Sequence, residues 1–112
     1  MARMIPPTMR TEPQELLTII CLGDEKIALR SVPHVVVSRA RKLGLAGATV
    51  LIERNPHDRR GWLKRTFRPR KPTVIEIVES QGKIEAVLSR LLAGVPSTVV
   101  VMRESVDVVV AP

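Results

Sequence analysis

The chain has 112 residues, a hydrophobic content of 45% and a formal net charge of +7 at pH 7. This length suits one domain, and the apolar content is sufficient for a buried core. Prolines, glycines and charges interrupt every apolar run before it reaches the roughly 18 residues of a membrane-spanning helix, so the sequence predicts no membrane insertion.

The first 14 residues are predicted to form a flexible arm before a single domain over residues 15–112. This arm contains several prolines and no apolar stretch of the ~7–15 residues that a signal peptide requires. Cys21 is the single cysteine of the chain, so it has no partner for an internal disulfide. These features predict a cytoplasmic protein.

Residues 16–22 form a short apolar and β-branched run that Gly23 ends, which predicts a buried central strand. The polar connection that follows contains Ile27 and Leu29, and both are expected to contact the core.

Helical spacing of apolar residues predicts a helix over residues 32–43. Ser31 is its expected N-cap and Gly44 its expected C-cap. Three consecutive valines at 35–37 favour a strand, but the SRARKLG sequence that follows has helical character.

Two β-rich runs, residues 47–53 and 72–79, are expected to pair as a hairpin whose connection, residues 54–71, is several times longer than the usual ~2–5 residues. A second helix is predicted from Ser80 to just before Gly94. The valine-rich segment over residues 97–110 predicts one long or bulged strand, or two short ones.

The predicted order is strand, helix, strand, long loop, strand, helix, strand, which indicates an α+β fold of the ferredoxin-like βαββαβ type. Both helices then cover one sheet face, and nothing covers the other. The outward positions are expected to include Val74, Val78, Val99 and Val101, so a partner subunit is expected to bury that face.

The basic loop is the strongest functional feature of the sequence. Residues 53–71 carry eight basic and two acidic side chains, a net charge of +6, and both aromatic residues of the chain. A solvated, disordered charge run is one interpretation. A partner-binding loop is preferred because Trp and Arg dominate binding hot spots; its candidate residues are Arg59, Arg60, Trp62, Lys64, Arg65, Phe67 and Arg68.

Nucleic acid is the second candidate partner of this loop, since its basic residues could neutralise phosphates and its aromatics could stack on bases. The predicted strands carry no aromatic residue that could form a stacking platform, which argues against an RNA-recognition sheet. An anionic membrane surface is a further candidate, without a long amphipathic repeat to support it.

No catalytic or metal site is predicted. His34, His57 and Cys21 are scattered without metal-ligand spacing. Glu76 and Glu79 lie three positions apart, so a strand places them on opposite faces rather than as a carboxylate pair. We therefore expect a protein that is not an enzyme, with an acylphosphatase-like activity as the enzymatic alternative.

Three stretches resemble a known superfamily: GLAGATV at 44–50, PTVIEIVES at 72–80 and KIEA at 83–86. They are similar to the PII nitrogen-regulatory proteins, and more closely to the PII-like domain of unknown function 190. The resemblance covers roughly residues 16–110. It implies a homotrimer of ferredoxin-like protomers, small effectors in the clefts between subunits, and a mobile loop, the T-loop, that docks on a transporter, channel or enzyme.

The same resemblance implies candidate effector residues. Thr49 matches the position that helps to hold adenine in PII proteins, and Gly47 lies beside it. Thr98 stands where a lysine is expected, and valines 108 and 109 stand where arginines are expected. Arg54 and Arg103 are therefore the candidates for an alternative anion site. No cofactor is assigned, with an adenine nucleotide or another small anion as the candidate effector.

The sequence thus predicts a non-catalytic, PII-like regulatory or binding protein. It is expected to form a homotrimer, to hold a small effector between subunits, and to dock its basic loop on a partner protein such as a membrane transporter or channel. A nucleic-acid-binding module that uses the same loop is the alternative.

Overall fold

The computed structural model describes residues 9–45, 49–52 and 72–111. Within them, six strands and two helices follow one another: β1 (Arg10–Cys21), β2 (Lys26–Ile27), β3 (Arg30–Ser31), α1 (Val32–Lys42), β4 (Thr49–Ile52), β5 (Thr73–Glu79), α2 (Gln81–Leu91) and β6 (Val100–Val110). Strands β4, β5, β1 and β6 form one sheet in that order. The predicted α+β, ferredoxin-like fold is confirmed.

Strand β1 is the central element of the sheet and pairs antiparallel with both β5 and β6. It begins at Arg10, so the start predicted at residue 16 is wrong. Part of the segment that we expected to be a flexible arm pairs with the end of β6 instead, because Arg10 lies opposite Val110. Residues 1–8 of the predicted arm lie outside the described residues.

The predicted polar connection after β1 forms a hairpin of two short strands, β2 and β3. Its turn residues Ala28 and Leu29 have φ angles of 48° and 71°, as expected for a tight turn of the type that matches strand twist. Ile27 packs against the core as predicted. Leu29 does not, because the turn leaves its side chain 92% exposed.

Helix α1 begins after Ser31, at the predicted position, although the Ser31 side chain makes no capping hydrogen bond. Val32, Val36 and Ala40 are fully buried, so the valine-rich sequence forms a helix whose apolar face meets the sheet. Gly44 follows the helix with a φ angle of +72°, which is the left-handed conformation that its predicted capping role requires.

Helix α2 is capped as the sequence predicts. The Ser80 side chain accepts a hydrogen bond from the Lys83 backbone N–H at 3.4 Å, and Ile84, Val87 and Leu91 face the core. Strands β4 and β5 pair as predicted, and β5 begins one residue later than expected, at Thr73. Residues 47, 48 and 53 of the predicted first run lie outside the described residues. Residues 53–71, which include the basic loop, lie outside the described residues.

The valine-rich C-terminal segment forms one strand, β6, in continuous register with β1 from Val100 to Val110. Of the alternatives left open, the single long strand is therefore the one observed. Val99, which we expected to point outward, precedes the strand and is 8% exposed within the core. Val101 belongs to the helix-bearing side, because its register partner is the buried Ile19.

Both helices lie on the same side of the sheet, the helix face. The core combines the helix residues above with buried strand residues of that face: Leu17, Ile19, Cys21, Ile75 and Ile77. Arg39 and Lys83 tie the two helices together at their ends. Arg39 Nη1 donates to the carbonyl oxygens of Leu91 at 3.2 Å and Ala93 at 2.5 Å; Lys83 Nζ donates to Gly44 O at 2.6 Å.

Candidate functional site

The other side of the sheet, the open face, carries the alternate residues of each strand. Paired residues of an antiparallel sheet share a face. The register therefore places on it Arg10, Glu12, Gln14, Leu16, Thr18 and Ile20 of β1, Val74, Glu76 and Val78 of β5, and Val100, Met102, Glu104, Val106, Val108 and Val110 of β6. Val78, Val100 and Met102 are 38%, 50% and 48% exposed. The predicted outward positions of Val74 and Val78 are therefore confirmed.

Arg103 lies on the helix face, where its guanidinium bridges two carboxylates. Nε and Nη2 donate to the two carboxylate oxygens of Glu15 at 2.9 Å and 3.1 Å. Nη2 also donates to Glu85 Oε1 at 2.6 Å. The strand β6 is thereby linked to its neighbour β1 and to helix α2 through one side chain.

The two carboxylates of this cluster differ in exposure. The Glu15 side chain is 10% exposed, whereas that of Glu85 is 57% exposed. The hydrogen bonds that Arg103 donates to Glu15, and next to Glu85, raise the pKa of Arg103 above its ordinary value. Two carboxylates around one guanidinium leave the cluster with a net charge of −1, and these three hydrogen bonds use Nε and Nη2 of Arg103.

Sequence reasoning missed both acidic partners of Arg103. Glu15 was missed because the strand was predicted to begin one residue later. The sequence does indicate an inward position for this residue, because Glu15 continues the alternation of the buried Leu17, Ile19 and Cys21. A charged residue at an inward position needs a partner, and the partner is 88 residues away along the chain.

Of the predicted effector residues, the two that the structure describes, Thr49 and Arg103, are not brought together within one chain. Thr49 lies in β4 at the register position of Glu76, while Arg103 lies opposite Leu17 in β6. These strands form opposite edges of the sheet, about 14 Å apart at three strand spacings. Gly47 and Arg54 lie outside the described residues, as do all the predicted partner-binding residues of the basic loop.

Cys21 has no exposed surface. Burial, and next the negative charge of Glu25, raise the pKa of its thiol to about 11, which keeps the thiol protonated at neutral pH. The Glu25 carboxylate accepts hydrogen bonds from the Leu22 backbone N–H and from the hydroxyl of Thr98. Thr98, at the position where a lysine was expected, thus has a structural partner.

In residues 9–45, 49–52 and 72–111, no group of three or more His, Cys, Asp or Glu side chains could hold a metal ion. Neither helix in these ranges is long and apolar enough to cross a membrane.

The chain matches one protein-family model over most of its length. The model of DUF190, described as Uncharacterized ACR, COG1993, matches residues 14–108. The chain belongs to the DUF190 family. The family-model match confirms the predicted resemblance to this family. A separate comparison with curated protein sequences found no similar protein.

Solved structures share the fold of this DUF190 chain. A protein described as a PII-like signaling protein, from Thermus thermophilus, is 19% identical with a TM-score of 0.53, over 90% of this chain and 91% of its own. The apo form of CPII from Thiomonas intermedia, a nitrogen regulatory PII-like protein, is 14% identical with a TM-score of 0.54, over 90% and 97%. At these identities the similarity establishes the PII-like fold.

Proposed function

We propose that this DUF190 chain is a non-catalytic regulatory protein of the cytoplasm. Its copies associate as a homotrimer and hold a small effector, such as an adenine nucleotide or another small anion, between them. The basic loop, residues 54–71, docks on a partner protein such as a membrane transporter or channel. The PII-like fold and the DUF190 match support a regulatory rather than a catalytic role.

The separation of Thr49 from Arg103 carries the proposal. These residues occupy opposite edges of one sheet, so a site that uses both must combine edge β4 of one copy with edge β6 of another. A small effector that binds such a site bridges two subunits. Its binding then stabilises the assembly, because a ligand that binds the assembled state alone shifts the equilibrium toward it.

The Arg103 cluster indicates how an anion would enter this site. The bond from Nη2 to Glu85 is made to a carboxylate that is mostly exposed, whereas Glu15 is held by two bonds in a nearly buried position. An anionic effector would therefore bind Arg103 through Nη1 or in place of Glu85, and would leave the Glu15 pair intact. Charge-assisted bonds of this kind are the strong ones in anion recognition.

A regulatory role also agrees with the chemistry of Cys21. Its thiol is buried and its pKa is raised to about 11, whereas a nucleophilic cysteine needs an exposed setting and a lowered pKa.

Native mass spectrometry of the protein as purified from cells tests the architecture and the effector together. We expect a trimer that carries additional mass, or that gains the mass of ADP or ATP when these nucleotides are added. Arg103→Met should abolish this gain, while Arg90→Met, which removes an exposed arginine of α2, should retain it. A monomer under all conditions, or equal nucleotide binding by both variants, would contradict the proposal.

The role of the basic loop is tested by deleting residues 55–70. The deletion should retain the circular dichroism spectrum and the oligomeric state of the parent. It should abolish the binding of a partner protein, and this binding is measured again with the two purified proteins. A single-stranded oligonucleotide is the probe for the alternative function, nucleic-acid binding. Loop-dependent oligonucleotide binding that falls steeply between about 50 mM and 200 mM salt would instead establish the nucleic-acid alternative.

A further inference from the structure

The turn between β2 and β3 presents a leucine to solvent. Leu29 is 92% exposed, the highest value among the exposed large hydrophobic residues of the described chain. Single apolar side chains are common on protein surfaces, so exposure by itself indicates no function. Three further features of this hairpin distinguish Leu29: its backbone conformation, the packing at the base of the hairpin, and the charge around the turn.

Both turn residues adopt a backbone conformation that their side chains disfavour. Ala28 and Leu29 have φ angles of 48° and 71°, in the left-handed region that glycine and asparagine occupy most readily. Two-residue turns of this kind usually contain Asn-Gly or a similar pair. The leucine is therefore strained as well as exposed, and neither local conformation nor core packing explains its presence. Strained residues of this kind cluster at functional sites.

The base of the hairpin is held by the rest of the domain. Ile27 packs against the core, and a Cβ atom at Gly94 would lie 3.5 Å from its Cγ2, so Ile27 contacts the connection between α2 and β6. The backbone N–H of Val32 donates to Glu25 O at 3.0 Å, which joins the hairpin to the start of α1. The base is thus fixed, while Leu29 at the tip is exposed.

The hairpin is positively charged. Residues 26–31 contain two basic residues and no acidic one, a net charge of +2. Both basic residues, Lys26 and Arg30, are exposed. The acidic residues Asp24 and Glu25 precede the hairpin, and the Glu25 carboxylate accepts two hydrogen bonds from elsewhere in the domain. The exposed leucine therefore lies between two exposed cations.

The hairpin follows β1 at the end of the sheet where residues 53–71 are attached. β1 ends at Cys21, opposite Thr73, and β4 ends at Ile52, opposite the same residue. Residues 53–71 carry a net charge of +6. The segments attached to this end of the sheet therefore hold most of the positive charge of the chain, which favours an anionic partner.

We propose that the β2–β3 hairpin contacts an anionic membrane surface. Leu29 enters the boundary between headgroups and acyl chains, and Lys26 and Arg30 lie beside the anionic headgroups. A stable contact with a protein takes roughly 800 Å² from each partner, and a two-residue turn offers only a fraction of this area. A lipid surface, in contrast, accepts one apolar side chain without a matching pocket. This contact is separate from the proposed effector site and does not depend on it.

Sedimentation of the full chain with lipid vesicles at physiological salt tests the contact. Vesicles of phosphatidylcholine mixed with phosphatidylglycerol should bind the parent more tightly than vesicles of phosphatidylcholine alone. Leu29→Asn should weaken binding about tenfold, because it removes the apolar side chain. It should not lower the free energy of unfolding, because asparagine tolerates the left-handed conformation. Leu29→Met keeps an apolar side chain and should bind as the parent does.

Charge variants test the two cations of the hairpin. Lys26→Gln and Arg30→Gln should each weaken binding to the mixed vesicles about fivefold. Arg41→Gln is the matched control, since Arg41 is exposed and lies about 15 Å along α1 from Ser31. It should bind as the parent does. Equal weakening by all three variants would show that net charge, rather than the hairpin, determines binding, and would overturn the proposal.

A fluorescent label reports the position of the tip directly. Bimane attached after Leu29→Cys should shift its emission to shorter wavelength when mixed vesicles are added, because the label leaves water. Bimane attached after Arg41→Cys should show no shift. Cys21 should remain unlabelled in both variants, because it has no exposed surface. A shift of equal size at both positions would refute the assigned orientation.

Two further results would overturn the proposal. Equal binding of the parent and Leu29→Asn, both in the full chain and after deletion of residues 55–70, would show that the leucine contacts no lipid. A parent that binds neither kind of vesicle would refute the lipid surface and leave an apolar pocket of a protein as the partner of Leu29. Neither result bears on the proposed oligomer or effector, because none of these variants changes Thr49 or Arg103.

Discussion

Neighbouring residues of strand β5 should respond very differently to truncation. Ile77 is fully buried on the helix face, and Val78 is 38% exposed on the open face. Ile77→Ala removes three buried carbons, worth about 2.4 kcal/mol of transfer free energy at about 0.8 kcal/mol each, and leaves a cavity, so we expect a loss of about 3–4 kcal/mol. Val78→Ala removes two carbons from a partly exposed site and should cost about 1 kcal/mol.

The free energy of unfolding is measured by urea denaturation followed by far-ultraviolet circular dichroism, for the parent and both variants at one chain concentration. A chain of this length has a stability on the order of 6–17 kcal/mol, so the Ile77→Ala loss is large enough to measure and small enough to leave folded protein. Equal losses for the two variants, or a larger loss for Val78→Ala, would refute the assignment of the two faces.

Repeating the measurement at tenfold lower chain concentration separates folding from association. The loss for Ile77→Ala should stay the same, because the buried core belongs to each chain. The proposed association of copies predicts that the loss for Val78→Ala shrinks on dilution, because that loss would then include contacts between copies. A concentration-independent Val78→Ala loss would argue against the open face as the contact surface.

Individual contacts of the described residues lead to three further predictions. Arg103→Met should lower the urea midpoint more than Glu85→Gln does, because it leaves the nearly buried Glu15 carboxylate without its partner; the opposite order would contradict the cluster. Arg39→Met should lower the free energy of unfolding by about 1–2 kcal/mol in the same assay, because two hydrogen bonds from a charged group to carbonyls at the end of α2 are lost. An unchanged free energy of unfolding would show that solvent replaces these bonds. The Cys21 thiol should react with a thiol reagent at pH 8 only as fast as the chain unfolds. Burial raises the pKa of this thiol to about 11, and the reactive thiolate forms only as the pH rises toward that value. Rapid reaction of the folded protein would disprove the burial.

Local patterns in the sequence predict the order of the elements and most of their positions. Helix α2 shows the clearest case, since Ile84, Val87 and Leu91 recur at helical spacing and all face the core. Ser80 and Gly44 take their predicted places at a helix start and a helix end because capping depends on a few adjacent residues. These features required no knowledge of the tertiary structure.

The end of the chain shows where such patterns stop being informative. β6 is rich in valine on both sides, so its sequence alone does not assign a face to Val99 or Val101. Pairing with β1 assigns Val101 to the helix face, because it lies opposite Ile19. Val99 precedes the strand, and packing against the core buries it. The same pairing extended β1 back to Arg10, through polar residues that carry no strand pattern of their own.

The sequence by itself thus determined the fold class, the family and the element that carries the charge, because composition and short-range periodicity encode them. The tertiary structure decided that Arg103 is held by Glu15 and Glu85, and that Thr49 and Arg103 lie on opposite edges of the sheet. The physical reason is that these relations join residues far apart along the chain, and strand register and helix packing alone bring such residues together.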